Sequence, residues 1–229
     1  MTPERTNYLE LADWRRRVAT LYAEVRSRAA ADPAAALVHW RAVRAQLYRT
    51  HPRSPVPIHG RENFPVQHFP HDPALRFEAP VIMEGVEPEP NGGHGVEGGR
   101  PVPSRGGRAV LIPTSTGADM VFQRIGWVDI PFPTGQRRLA LYWLEGYADG
   151  LYLPFGDATN GVDTYGAGRY LLDGAKSADL GGDVARGTLI IDFNFAYHPS
   201  CAFDPRWACP LIPPENRLDL PIRAGERMA

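Results

Sequence analysis

The sequence predicts a mainly β (α+β) protein, an antiparallel β-barrel or sandwich with an N-terminal helical hairpin packed outside. Three observations carry this reading. Apolar residues recur at helical spacing only over about the first fifty positions. Beyond them, short apolar runs alternate with turn chemistry, and no strand–helix–strand alternation or internal repeat is apparent. Glycine and proline number 23 each in 229 residues, a content suited to many short strands and turns.

The first helix is announced by Asn7 with Glu10 three residues on, a capping-box pattern, ahead of Leu11, Trp14, Val18, Leu21, Tyr22 and Val25. Arg15, Arg16 and Arg17 fall mostly on the other side and read as a solvated face. Asp32-Pro33 supplies a cap and a first-turn proline for a second helix with the stripe Leu37, Trp40, Val43, Leu47, ending before His51-Pro52. Residues 1–50 thus form a hairpin, and 51–229 a β-rich domain. From Pro52 to Pro73 the chain reads as an extended loop wrapping the core. His51, His59, His68 and His71 lie along it without the pairing or neighbouring ligands of a metal site, and no metal is expected. Strands follow at Leu75–Ile82, Arg108–Pro113, Met120–Ile130 and Arg137–Leu144. A flexible Gly- and Pro-rich insertion separates the first two, at about 85–107. Leu151–Phe155 and Tyr165–Leu172 flank Asn160-Gly161, the strongest hairpin signal in the chain.

Charge and composition exclude several classes of function. The 25 basic residues, all arginine except Lys176, are matched by 26 carboxylates, so the uncompensated positive charge that nucleic-acid binding needs is missing. No apolar run is long enough to span a membrane and the first residues lack a signal-peptide core. A soluble, cytoplasmic protein is expected, with both cysteines as free thiols. The sequence leaves the oligomeric state and any cofactor open.

Candidate chemistry concentrates in the stretch from Thr188 to Cys209. As a strand, 188–197 puts Leu189, Ile191, Phe193, Phe195 and Tyr197 on a core face, with Asp192 and Asn194 opposite. A carboxylate and an amide on so apolar a strand need partners or water. Tyr165 and Arg169 share a strand face nearby, with Gly166 and Gly168 permitting close backbone approach. If Arg169 faces Asp192, the two form either an internal ion pair or part of a pocket. In the pocket reading Tyr165, Arg169, Asp192, Asn194 and Tyr197 hold a small polar or anionic ligand. A second reading is an enzyme with thiol chemistry. Cys201 would be a nucleophile with His198 as base and Asp192 as orienting carboxylate, or Cys201 and Cys209 a redox pair if the Pro-rich loop folds back. A third is a structural or interaction module whose polar motif only braces the fold.

These residues also carry a resemblance. Phe155-Gly-Asp-Ala-Thr, Thr164-Tyr-Gly-Ala-Gly-Arg-Tyr-Leu, Asp192-Phe-Asn-Phe-Ala-Tyr-His-Pro-Ser-Cys-Ala-Phe, Cys209-Pro, Pro213-Pro-Glu-Asn-Arg-Leu and Ala224-Gly-Glu resemble motifs of a bacterial and archaeal family, domain of unknown function 1684. His68-Phe-Pro-His-Asp-Pro-Ala-Leu-Arg-Phe is similar to it as well. The resemblance covers most of the chain from about Trp40 onward and implies no activity. Asn is usual in the family where this chain has His198, which counts against His198 as the base for Cys201.

Overall fold

Two helices open the structure, α1 at Tyr8–Ala29 and α2 at Pro33–Thr50, in a computed structural model that describes residues 8–84, 96–97, 100–101, 107–146 and 150–228. Helix α1 buries Val18, Leu21, Tyr22 and Val25, while Arg15, Arg16 and Arg17 are exposed. Asp32 caps α2 as its sequence implies: its carboxylate accepts from the Ala34 and Ala35 amides at 2.9 and 3.0 Å, and Pro33 occupies the first turn. Asn7 lies outside the described residues, as does most of the insertion at 85–107.

Among the described residues twelve strands follow: β1 Gln67–His68, β2 Arg76–Met83, β3 Val96–Glu97, β4 Arg100–Pro101, β5 Arg108–Pro113, β6 Asp119–Phe132, β7 Gly135–Leu144, β8 Gly150–Phe155, β9 Arg169–Asp173, β10 Gly182–Asp183, β11 Thr188–Asp192 and β12 Glu226–Arg227. Eight of them form a curled antiparallel sheet, a half-barrel, in the order β10-β11-β2-β6-β7-β8-β9, with β5 also paired to β6. The long β6 makes this possible, pairing its first half with β5 and its second with β2 along the same edge. β1 and β12 make a separate ribbon, as do β3 and β4. After β11 the chain crosses back to the far edge, where Tyr197 and Tyr170 of β9 exchange backbone hydrogen bonds at 2.9 and 3.1 Å.

Both faces of the sheet are buried, and the two-residue period decides which side chain serves which face. On β7, Leu139 and Leu141 join one apolar cluster and Ala140 and Tyr142 the other. The first cluster, with Ile130, Leu153, Phe155 and Phe193, is covered by Leu218, Ile222 and Ala224 of the C-terminal segment. The second is shared with the hairpin: Leu21, Tyr22, Leu37 and Trp40 pack with Phe122, Tyr142, Tyr152 and Tyr170. None of the described helices is long and apolar enough to cross a membrane.

Three local expectations are corrected. Strand β9 begins at Arg169, so Tyr165 belongs to the preceding loop and does not share a strand face with it. Strand β11 stops at Asp192, because that carboxylate accepts the Asn194 amide at 2.9 Å and turns Phe193–Phe195 into a 3-10 turn. The turn rotates the chain, so Phe193 joins the first cluster while Phe195 and Tyr197 join the second. Asn160-Gly161 does not form a two-residue hairpin. Gly161 has the positive φ of a turn (79°), but Asn160 accepts from Asp157 N–H at 2.7 Å and donates to Thr164 Oγ1 at 2.9 Å, stabilising the longer loop 156–168 that joins β8 to β9.

Candidate functional site

The side chains expected to converge on one ligand have separate partners. Arg169 is fully buried and pairs with Asp157 at 2.9 Å, not with Asp192. Its guanidinium also donates to the carbonyls of Ile222 (2.8 Å), Glu226 (3.1 Å) and Ala224, tying the C-terminal segment to β9. Asp157 accepts in turn from the Thr159 and Ile222 amides at 2.8 and 3.2 Å. Asp192 faces Arg76 across the β11–β2 pair at 3.1 Å. Asn194 exchanges two hydrogen bonds with the Asp72 backbone, at 2.9 and 2.8 Å, and so holds the loop before β2. Apart from Arg169 Nε, which has no hydrogen-bond partner, these groups satisfy one another, and neither Asp157 nor Asp192 is left free for acid–base work.

His198 does not reach Cys201 as a base. Its Nε2 accepts the Tyr165 amide at 3.3 Å, and its Nδ1 lies 3.8 Å from Glu226 Oε2. Burial pushes its pKa down to about 4, against the pull of Glu226, so the ring is neutral near pH 7. Asp192, its supposed orienting partner, lies with Arg76 instead. The proposed triad of Cys201, His198 and Asp192 is therefore not assembled.

Glu226 is the hub that the sequence reading missed. It accepts Arg44 Nε at 2.5 Å and the His198 amide at 2.8 Å, and is buried. Burial opposes its charge, but Arg44 outweighs that and holds the carboxyl below its ordinary range. Arg44 sits among the rings of Trp40, Tyr48 and Tyr197, at 5.3, 4.6 and 4.5 Å. Its position was a usable signal: four residues after Trp40 and three before Leu47, it lies on the buried stripe of α2.

Between the hairpin and the sheet lies a cleft of about 160 Å³. Its floor includes Tyr22, Tyr48, Tyr197, His198 and Cys209, and Trp14 and Trp207 flank it. Arg15, Arg44, Arg53 and Lys176 all line it, and among the described residues no carboxylate does. Arg44 is neutralised by Glu226 and Lys176 by Asp173 at 2.8 Å. Among the described residues, Arg15 and Arg53 have no carboxylate partner; the Arg53 guanidinium lies 5.8 Å from the Trp207 ring. The Tyr197 hydroxyl, buried on this floor, has no hydrogen-bond partner. Burial raises its pKa well above the ordinary tyrosine value, so it remains a proton donor.

The Pro-rich loop does fold back. Ser115 Oγ donates to Trp207 O at 2.8 Å and accepts the Cys209 amide at 3.1 Å, while Ser115 N–H donates to Cys209 O at 2.9 Å. This clip sets Cys209 Sγ 3.3 Å from the Cys201 amide, with both thiols free and buried. Among the described residues no group of three or more His, Cys, Asp or Glu has the arrangement to hold a metal ion. His51 instead lies 3.2 Å from Asp13, and His68 packs edge-on to Trp40.

Fold and site together define a mainly β half-barrel with a helical hairpin on one face and a cation-lined cleft between them. The chain belongs to the family described as "Protein of unknown function (DUF1684)", whose model matches residues 64–227. That match begins just before β1 and ends within β12, the two strands of the ribbon that brings Glu226 to the site. Among solved structures, the solution NMR structure of an uncharacterised protein of Haloarcula marismortui is similar, with a TM-score of 0.55 and 24% identity over 83% of this chain and 93% of that one. At this identity the likeness shows the fold. No curated protein matches the chain.

Proposed function

We propose that this protein binds a small organic anion with a flat apolar body, of the aryl carboxylate kind, in the cleft between hairpin and sheet. The observation that carries the reading is the composition of the lining: among the described residues, four cationic side chains, no carboxylate, and a buried tyrosine hydroxyl with nothing to donate to. An unpartnered buried hydroxyl costs about 1–3 kcal/mol, a cost that an incoming acceptor removes. The volume, about 160 Å³, is close to the roughly 150 Å³ of cavities that admit benzene. Aromatic walls suit a flat body, and Arg53 and Arg15 at the rim suit its charge. Of the ligand set read from the sequence, Tyr197 stays in this reading; Arg169, Asp192 and Asn194 are assigned to bracing the fold, and Tyr165 leaves the ligand set. A cytoplasmic setting is part of the proposal.

The test is calorimetric titration with benzoate, with benzamide as the uncharged control. Benzoate is expected to bind and benzamide to bind at least tenfold more weakly. Arg53→Gln and Tyr197→Phe should each cost about tenfold or more, as loss of one hydrogen bond to a charged group does. Equal binding of benzoate and benzamide, or no binding of either, would sink the reading.

A further inference from the structure

Beside the cleft, a second piece of chemistry is held ready in the loop from His198 to Pro210. Cys201 and Cys209 are eight residues apart in sequence, yet Cys209 Sγ accepts the Cys201 amide at 3.3 Å. Their side chains are also within hydrogen-bond reach of each other. The approach is built by the Ser115 clip, whose three hydrogen bonds fix Trp207–Cys209 against the end of β5. The Tyr165 hydroxyl also interacts with Cys201 and favours its thiolate. Cys209 is more deeply buried, at 3% exposure against 7% for Cys201. Two inert packed thiols need no such surroundings, and although Cys209 lines the cleft, neither the bracing network nor the anion reading gives either thiol a chemical role.

We propose that Cys201 and Cys209 form an oxidisable dithiol, in which Cys201 reacts with a small hydroperoxide and Cys209 closes the disulfide. With Cys201 only 7% exposed, a small peroxide suits the site and a protein disulfide does not. In the first step the Cys201 thiolate attacks the terminal oxygen of the hydroperoxide. The O–O bond breaks, Cys201 becomes a sulfenic acid, and the alkoxide leaves, taking a proton to become an alcohol (water, for hydrogen peroxide). In the second, Cys209 sulfur attacks Cys201 sulfur and the S–O bond breaks. Hydroxide leaves with the Cys209 proton as water. Two thiols and one hydroperoxide thus give one disulfide, one alcohol and one water, and a dithiol reductant restores the starting state by exchange. The Cys209 thiol, the largest influence, together with Tyr165 and Ser115 outweighs burial and holds Cys201 down to about 6, while Cys209 is pushed up. The division of labour follows: Cys201 is the thiolate near neutral pH and Cys209 keeps its proton.

The experiment uses the full reduced chain and one equivalent of hydrogen peroxide, read by intact mass and peptide mapping. The wild-type protein should lose two hydrogens and yield a peptide pair linked through Cys201 and Cys209, reversed by dithiothreitol. Cys209→Ser should instead gain one oxygen at Cys201, trappable by dimedone. Cys201→Ser should leave Cys209 unoxidised. On wild-type protein alone, the rate of peroxide consumption should rise through about pH 6 and level off by about pH 8, since only the thiolate reacts. Both thiols surviving peroxide, a rate that rises only above about pH 8, or Cys209 oxidising equally fast without Cys201 would overturn the proposal. The anion reading is tested separately by benzoate, so either idea can fail alone.

Discussion

Arg169 and Asp157 are each fully buried and meet at 2.9 Å, so neither can be removed without stranding the other. A pair of this kind contributes little net stability against an apolar replacement of both members, but breaking it leaves a buried charge. Arg169→Met should therefore destabilise the fold by about 3–5 kcal/mol, lowering Tm by roughly 10 °C. A loss under about 1 kcal/mol would mean that Asp157 finds water or another donor. Next to it, Gly168 has φ +87°, and an added Cβ would lie 1.6 Å from Ile212 Cδ1 and 2.7 Å from Phe155 O. The sequence reading gave close approach to Gly166 and Gly168 alike; at Gly166 the nearest atom to such a Cβ is 3.9 Å away. The two glycines look alike in sequence and differ only in what the fold brings against them.

His198 gives the residue scale a pH dependence with a definite sign. Its ordinary pKa is 6.5 and burial lowers it to about 4 in the folded protein, so between those values the unfolded chain binds the extra proton. Its contribution is complete above about pH 6.5 and is lost as pH falls toward about 4, amounting to roughly 3 kcal/mol at the lower end. His68, also lowered to about 4 chiefly by burial, acts in the same direction. Urea midpoints should fall from about pH 7 to about pH 5, and His198→Asn should flatten that slope. A flat profile in the wild-type protein would show that the ring reaches solvent.

At the scale of elements, the motif Pro213-Pro-Glu-Asn-Arg-Leu acts through Asn216. β7 and β8 pair only at Tyr142–Leu144 with Gly150–Tyr152. Beyond that they separate, and the Asn216 side chain fills the gap. It accepts the Ala140 amide at 2.8 Å and donates to the Ala140 and Pro154 carbonyls at 3.0 and 2.8 Å. Asn216→Ala orphans three backbone groups and should cost about 2–3 kcal/mol by chemical denaturation. Asn216→Asp should be worse, since it sets a carboxylate against two carbonyl oxygens. If aspartate is tolerated better than alanine, the side chain is not bridging the strands. The hairpin is an element of another kind: its caps and stripe follow from local spacing, and only Arg44 on that stripe needed a distant partner to make sense.

For the whole molecule, local pattern and tertiary structure divide the work unevenly. The helices, β5 and β7 lie within a few residues of where periodicity and turn chemistry put them, because backbone period and capping are set by neighbours in sequence. The family motifs were legible too, as were the residues in them. Their pairing was not. Arg169 could have met Asp192 or Asp157, and the 3-10 turn that Asp192 starts took the chain away from the first choice. The cleft was invisible for the same reason, since Arg53, Tyr197 and Cys209 come from three segments that meet only once the hairpin is laid on the sheet. Local spacing marked out a helical hairpin ahead of an antiparallel β fold and singled out Arg169, Asp192 and Asn194 among the buried polar residues, but passed over Arg44 and Glu226. Tertiary structure alone decided their partners, because partnership depends on long-range closure of the sheet, which no local spacing encodes.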